Sequence, residues 1–221
     1  MSVGGTALQR QFTVHVVDDD ASIRSSLSRL FRATGHYVRA FESAQAYLAE
    51  ASPEDPGCVV LDIRMPGMDG LTLQERMSDQ GFYSPIVFVS AHGDISASVR
   101  AMKGGAVDFL EKPFEEEDLL RAVDRAIELD EELRERRDSN ARFEHGLEAL
   151  TSREYQVMTH VIAGKPNKVI ARELDVSEKT IKVHRGRVMK KMEARSLADL
   201  VRMTERADIQ AAKPHDSAGV V

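Results

Sequence analysis

Five chemically active side chains stand where apolar, strand-like runs of the chain end: Asp18, Asp19, Asp62, Ser90 and Lys112. In an open parallel sheet, the carboxyl ends of the strands meet at one edge, and ligands bind along that edge. We therefore expect three carboxylates, a hydroxyl and an ammonium group to lie close together there.

Phosphoryl transfer is the chemistry that this set of groups favours. Three crowded carboxylates raise one another's pKa unless a cation is present, and Mg²⁺ (or Mn²⁺) binds carboxylate, carbonyl and water oxygens. With the metal and Lys112 balancing the charge, Asp62 can attack phosphorus and carry the phosphoryl group. Ser90 then offers a hydroxyl donor to the new phosphate oxygens.

The elements that must position these groups alternate along the first part of the chain. Five helical patterns follow five apolar runs, and this alternation predicts a doubly wound, five-stranded parallel sheet with helices on both faces. The helix stops include Gly35 and the pair Gly104–Gly105. The strands are predicted at residues 12–17, 37–41, 58–61, 85–90 and 106–110.

The charge of the chain is divided unevenly between its two parts. The net charge is -6, yet 13 basic residues face only 8 acidic ones between His145 and Ala207. The single cysteine, Cys58, excludes an internal disulfide and a multi-cysteine metal site. No apolar run could span a bilayer, and residues 1–10 lack a signal-peptide pattern, so we expect a cytoplasmic protein without membrane contact.

Residues 12–128 resemble the receiver domain of two-component response regulators, which has a flavodoxin-like or CheY-like fold. The resemblance rests on Asp18-Asp19, on Asp62 with Pro66 and Gly70 behind it, on Ser90-Ala91, on Phe109 and on Lys112-Pro113. It implies that a sensor histidine kinase phosphorylates Asp62. It also implies that Asp18, Asp19, Asp62 and the backbone carbonyl of Arg64 hold the metal, and that Ser90, Phe109 and Lys112 relay the change.

A phosphohydrolase resembling the haloacid dehalogenases would share the same first step. That family needs a second aspartate two residues after the nucleophile, and Arg64 occupies this position. We therefore expect no enzyme activity beyond Mg²⁺-dependent phosphorylation and dephosphorylation of the chain itself. Arg64 and His92 flank the site and either modulate hydrolysis of the phosphoryl group or simply face solvent.

The linker is predicted at residues 129–147. Residues 131–138 are charged on every helical face, so a solvated helical extension and a flexible tether both fit. A coiled coil is disfavoured because too few heptad positions are apolar.

A small all-α domain is predicted at residues 148–207, followed by a disordered tail at 208–221. Thr151 and Glu154 form the pattern of a capping box at the start of its first helix. Further helices are predicted at 166–174, 178–193 and 196–206, and the turn at 175–177 indicates a helix-turn-helix.

Helix 178–193 has the pattern of a recognition helix. At roughly 100° per residue, Ile181, Val188 and Met192 share one face, with His184 and Arg185 near that side. The opposite face suits the major groove of double-stranded DNA, although an ordinary solvated basic helix is the alternative. Its residues are Lys179, Lys182, Val183, Gly186, Arg187 and Lys190.

The second domain resembles the LuxR-type DNA-binding domain of the FixJ/NarL family, and in particular its FixJ-like branch. The resemblance rests on residues 164–171, Val183-His184-Arg185 and residues 196–203, while Tyr155 replaces a charged residue that many members carry. It implies dimeric DNA binding through helix 178–193, with helix 196–206 as a dimer contact.

Together the two domains predict a DNA-binding response regulator. Phosphorylation of the receiver would switch homodimerisation and promoter binding to control transcription, with RNA polymerase as a further partner. Two alternatives stay open: a regulator that is active without phosphate, and a phosphate sink or protein-interaction regulator.

Overall fold

The computed structural model describes residues 12–91, 95–207 and 209. Its contacts divide the chain into two compact units, residues 1–135 and residues 136–221. Of the predicted tail at 208–221, only Ile209 is among the described residues. No helix in the described part of the chain is both long and apolar enough to cross a membrane.

The first unit is built on five parallel strands in the order β2-β1-β3-β4-β5. The predicted doubly wound five-stranded sheet is therefore confirmed. Its strands are β1 (Thr13–Val17), β2 (Tyr37–Phe41), β3 (Gly57–Asp62), β4 (Ile86–Ser90) and β5 (Asp108–Glu111).

Three helices of this unit begin at a residue whose side chain caps the first turn. The carboxylate of Asp20 and the hydroxyl of Ser43 accept hydrogen bonds from the first backbone N–H groups of α1 and α2, and Asp69 caps α3. The predicted helix start at Asp94 lies outside the described residues. The helices are α1 (Ala21–Ala33), α2 (Ala44–Glu50), α3 (Gly70–Asp79), α4 (Ile95–Lys103) and α5 (Glu116–Glu148).

Two apolar cores lie on opposite faces of the sheet because successive strand residues point to opposite sides. Leu61 and Phe88 belong to the core that α2 and α3 cover, and Val60 and Val87 belong to the core that α1 and α5 cover. The three central strands β1, β3 and β4 are thus buried on both faces, which is typical of parallel sheets, whereas the edge strand β2 is largely exposed.

A buried ion pair ties α5 to the start of β3. Arg134 donates to Oδ2 of Asp130 (2.7 Å) and to the backbone carbonyls of Glu54 (3.0 Å) and Asp55 (2.6 Å). The same Asp130 oxygen accepts from the N–H of Gly57 at 2.8 Å. Asp130 is fully buried and Arg134 is 7 % exposed, so these two charges are not part of a solvated helix surface.

The second unit contains the end of α5 and four further helices. The predicted capping box at Thr151 and Glu154 is present, and the hydroxyl of Ser177 caps the helix after the turn. The predicted apolar face is buried, with Ile181, Val188 and Met192 at most 1 % exposed. The helices are α6 (Ser152–Ile162), α7 (Asn167–Glu173), α8 (Glu178–Lys191) and α9 (Leu197–Arg206).

Candidate functional site

The strand register brings the predicted site residues to one edge of the sheet. Val17 pairs with Leu61, so Asp18 and Asp62 leave neighbouring strands side by side. Asp62 pairs with Val89, the residue before Ser90. Ser90 in turn pairs with Glu111, the residue before Lys112. The strand register alone therefore brings Asp18, Asp62, Ser90 and Lys112 to the same edge of the sheet.

Lys112 joins the two buried carboxylates of the site. Its ammonium nitrogen donates to Oδ2 of Asp18 at 2.8 Å and to Oδ1 of Asp62 at 2.9 Å. The second oxygen of each carboxylate accepts a backbone N–H, from Asp20 at 2.8 Å and from Arg64 at 2.6 Å. Because backbone groups hold both acids, their orientation does not depend on lysine alone.

Burial sets the protonation behaviour of this cluster. It raises the pKa of Asp62, and the hydrogen bond and charge of Lys112 oppose that rise. Burial alone would lower the pKa of Lys112. The hydrogen bonds of its ammonium group to Asp18 and Asp62 outweigh burial, so the pKa of Lys112 is raised. Lys112 therefore stays charged, and it balances only one of the two acids.

The donor set suits a hard divalent cation. Among the described residues, no three His, Cys, Asp or Glu side chains form a ready-made metal cluster. Mg²⁺ is commonly held by one or two carboxylates and several waters, and Asp18 and Asp62 supply that pair. Asp19 is exposed at the rim, and it stays a predicted ligand together with the Arg64 carbonyl.

Two predicted switch residues lie on β4 and β5, the strands that lead to the cluster. Ser90 is 2 % exposed, and its carbonyl accepts from the N–H of Lys112 at 2.7 Å. Phe109 is half-buried against the α2–α3 side core and pairs with Phe88. Arg64 is exposed, whereas His92 lies outside the described residues. Their roles in relaying or timing the signal stay predictions.

Gly70 has a structural reason to follow Asp62 at this spacing. Its N–H donates to the carbonyl of Ile63 at 2.9 Å, which closes the loop after the acid. A Cβ atom on Gly70 would lie 2.3 Å from the carbonyl oxygen of Asp62. A side chain there would therefore displace the candidate nucleophile.

The sequence analysis missed Arg24. Its guanidinium reaches from α1 and donates from Nη1 to the carbonyl oxygen of Asp18 at 2.8 Å. The signal that could have found it is its place one turn after the cap Asp20, which brings a long side chain back over the β1–α1 turn.

The predicted DNA-facing residues of α8 are all exposed, including the apolar Val183 at 48 %. His184 and Arg185 are half-buried. Arg185 donates from Nη1 to Oδ1 of Asn167 at 2.7 Å, so this arginine links α8 to α7.

Lys191 differs from the other basic residues of α8. Its ammonium group donates to Oε2 of Glu154 at 2.6 Å and to the carbonyl of Ala149 at 2.8 Å. The Lys191 hydrogen bond, with that of the Thr151 N–H, lowers the pKa of Glu154 to about 2. Lys191 thus stabilises the fold of the unit and leaves the exposed basic face to its neighbours.

Comparisons with known proteins match both units. Residues 14–124 match the family model of the response regulator receiver domain, and residues 148–204 match that of the bacterial regulatory proteins of the luxR family. Nodulation protein W of Bradyrhizobium diazoefficiens is 48% identical over 208 residues, which are 94% of this chain and 92% of that protein.

Two further relatives agree. The transcriptional regulatory protein FixJ of Bradyrhizobium diazoefficiens is 45% identical, over 88% of this chain and 95% of that protein. The solved structure of the response regulator StyR superposes with a TM-score of 0.81 at 47% identity, covering 89% of this chain and 99% of that one.

Proposed function

The chain belongs to the FixJ/NarL family of two-component response regulators, which are transcription regulators, and we propose that phosphorylation of Asp62 controls its binding to DNA. We assign phosphoryl transfer to residues 12–128 and DNA binding to residues 148–207, joined by residues 129–147.

The proposed reaction transfers a phosphoryl group from a phosphohistidine of a sensor kinase. A carboxylate oxygen of Asp62 attacks phosphorus, a P–O bond forms, and the P–N bond breaks with its electron pair returning to the histidine nitrogen. The hydrogen bond from the Arg64 N–H to Oδ2 of Asp62 fixes the carboxylate while its Oδ1 faces Lys112. This fixed geometry reduces the entropic cost of attack.

Mg²⁺ is the proposed cofactor, held by Asp18 and Asp62 with Asp19 and the Arg64 carbonyl. When bound, it neutralises charge that develops on the phosphoryl oxygens. Lys112 contributes a second positive charge in a partly water-excluded site, where such interactions are strong. Ser90 then donates to the phosphoryl oxygens, Phe109 turns inward, and Arg64 and His92 adjust the lifetime of the phosphoryl group.

The proposed output is a homodimer. On α4, Ile95, Val99 and Met102 are 80%, 45% and 47% exposed, although all three are large and apolar. They stand four and three residues apart, so they share one helix face. A second copy of the chain would bury this face, and phosphorylation would favour that state.

Dimerisation would let two α8 helices bind neighbouring half-sites in the major groove. The proposed contacts are the exposed residues Lys179, Lys182, Val183, Gly186, Arg187 and Lys190. Helix α9 is a second proposed dimer contact. RNA polymerase would therefore bind other surfaces of the second unit, because the dimer would cover α9.

The single observation that carries the proposal is the convergence of Asp18, Asp62 and Lys112 at the carboxyl edge of the sheet. Acetyl phosphate with Mg²⁺ tests it, with intact mass, gel filtration and DNA binding as readouts. The wild type is expected to gain one phosphoryl group, elute as a dimer and bind DNA more tightly.

Asp62→Asn should do none of these, and Asp79→Asn, at an exposed carboxylate on α3, should behave as the wild type. A wild type that gains no phosphoryl group would contradict the proposal. Phosphorylation without a change in gel-filtration elution or in DNA affinity would favour a phosphate sink, and full DNA affinity of Asp62→Asn would favour a phosphate-independent regulator.

A further inference from the structure

We propose that Arg24 is a positioning residue of the phosphoryl-transfer site. It holds the main chain of Asp18 so that the carboxylate of Asp18 meets Lys112 beside Asp62, where it would be available to hold Mg²⁺. This inference rests on the proposed function, because it concerns the same site. Arg24 would touch neither the phosphoryl group nor the metal and would act only through Asp18.

Asp18 is held by hydrogen bonds on every side. Arg24 donates to its carbonyl oxygen (2.8 Å), the Asp20 N–H to Oδ1 (2.8 Å) and Lys112 to Oδ2 (2.8 Å). Its own N–H donates to the carbonyl of Phe41 at 3.3 Å. Asp18 is 2 % exposed, so water cannot readily replace a lost partner.

Arg24 closes the turn that carries the acidic residues. Asp20 caps α1 by accepting from the N–H groups of Ser22 (2.7 Å) and Ile23 (3.3 Å), and the Arg24 N–H donates to the Asp20 carbonyl at 3.0 Å. The Arg24 side chain then returns from this first turn to the end of β1. The segment from Asp18 to Arg24 is thus tied at both ends, and the strand end is fixed to the helix start.

Position and charge predict opposite effects of removing Arg24. Its guanidinium is a cation 2.8 Å from the carbonyl oxygen of Asp18, so charge alone would oppose Mg²⁺, and removing it would tighten Mg²⁺ binding. Its hydrogen bond orients a ligand, so its loss would weaken Mg²⁺ binding, as loss of such outer partners does in other metal sites. The sign of the change in affinity therefore separates the two effects.

The test measures Mg²⁺ affinity by calorimetry on the full chain without a phosphoryl donor. Arg24→Ala is expected to bind Mg²⁺ about tenfold more weakly than the wild type. Arg24→Lys should recover most of the affinity because an ammonium group can still donate to the carbonyl. Arg29→Ala is the matched control, since Arg29 lies on the same helix, is exposed and, among the residues that the structure describes, donates only to Ser26.

Equal or tighter Mg²⁺ binding in Arg24→Ala than in Arg29→Ala would overturn the inference. If Arg24→Ala does not fold, Arg24→Met replaces it, because methionine keeps an apolar stem and removes the hydrogen-bond donor; it should bind Mg²⁺ more weakly than Arg24→Lys. Equal or tighter Mg²⁺ binding in Arg24→Met than in Arg24→Lys would likewise overturn the inference. A wild type that neither binds Mg²⁺ nor accepts a phosphoryl group from acetyl phosphate would instead overturn the proposed function.

Discussion

The ammonium nitrogen of Lys112 lies 2.9 Å from Oδ1 of Asp62, although 50 residues separate them in the sequence. The same nitrogen lies 2.8 Å from Asp18, so one cation serves two buried acids. Lys112 thus supplies one ammonium group to two carboxyl groups, an arrangement that suits a divalent cation or an incoming electrophile.

Replacing Lys112 by Met should make the stability of the folded protein depend on Mg²⁺ more strongly than in the wild type. Loss of the ammonium group leaves two buried carboxylates without their cation. Removing one partner of a buried ion pair costs about 3 kcal/mol or more of unfolding free energy. Urea unfolding with EDTA should show this loss, and Mg²⁺ should restore more stability to the variant than to the wild type. Lys103→Met, at an exposed lysine of α4, should show neither effect, and an equal response to Mg²⁺ in all three proteins would contradict the prediction.

Substitution of two lysines of α8 should affect different properties: DNA affinity for Lys182 and the stability of the second unit for Lys191. Lys182→Ala removes an exposed charge, so DNA affinity should fall and the slope of log affinity against log salt should decrease by about 0.9 if Lys182 contacts one phosphate. Lys191→Ala breaks the contacts to Glu154 and Ala149, so it should lower the stability of the second unit and leave the salt slope unchanged. Binding isotherms at several salt concentrations, with thermal unfolding, distinguish the two.

His15 should make the first unit sensitive to acid. It is 1 % exposed, and its ring makes edge contacts with Phe41 and Tyr47. Burial lowers the pKa of His15 from 6.5 to about 4, with the charge of Asp55 opposing this and that of Arg39 adding to it. The unfolded chain therefore binds a proton more readily than the folded chain between these two pH values.

Stability from the neutral imidazole is fully present above about pH 6.5 and decreases as the pH falls, until about pH 4, by about 3 kcal/mol in all. His15→Phe keeps an aromatic ring and removes the titration. The difference in unfolding free energy between wild type and variant should change across this pH range. A difference that stays constant with pH would contradict the assignment.

The Asp130–Arg134 pair should show strong non-additivity. Arg134→Ala leaves a fully buried carboxylate, whose Oδ1 already has no hydrogen-bond partner within the described residues, so it should cost about 3 to 5 kcal/mol. The double change Asp130→Leu with Arg134→Met removes both charges and should cost less than Arg134→Ala. Equilibrium unfolding of Asp130→Leu, Arg134→Met and the double variant measures the non-additivity, and a double variant whose loss of stability equals the sum of these two single losses would refute it.

The parallel sheet and the core of the site follow from sequence patterns, because the first depends on the periodicity of local apolar runs and the second on a general rule of parallel sheets. Apolar runs ending in Asp18, Asp62 and Ser90 predicted three strand ends, and register then brought them together. The predicted start of the fifth strand was wrong by two residues: β5 begins at Asp108 rather than at Ala106. The N–H of Ala106 donates instead to the carbonyl of Ala101, at the end of α4.

The two arginine contacts do not follow from strand periodicity or strand register. Arg24 and Arg134 bind backbone carbonyls, which every residue carries, so no residue type marks the partner in the sequence. A charged helix face such as that of residues 131–138 also predicts exposure to solvent, unless the loop that covers part of it is known. For Arg134 that loop lies about 80 residues earlier, at Glu54 and Asp55.

The strand that carries Asp62 at one end is held at its other end by Asp130, through the N–H of Gly57. Neither Asp130 nor Arg134 can be lost alone without leaving a buried charge. Over evolutionary time the two positions should therefore change together, with intermediate sequences rare, and relatives that carry apolar residues at one should carry them at the other. Position 57 should stay glycine throughout, because a Cβ there would lie 1.9 Å from the carbonyl oxygen of Thr13.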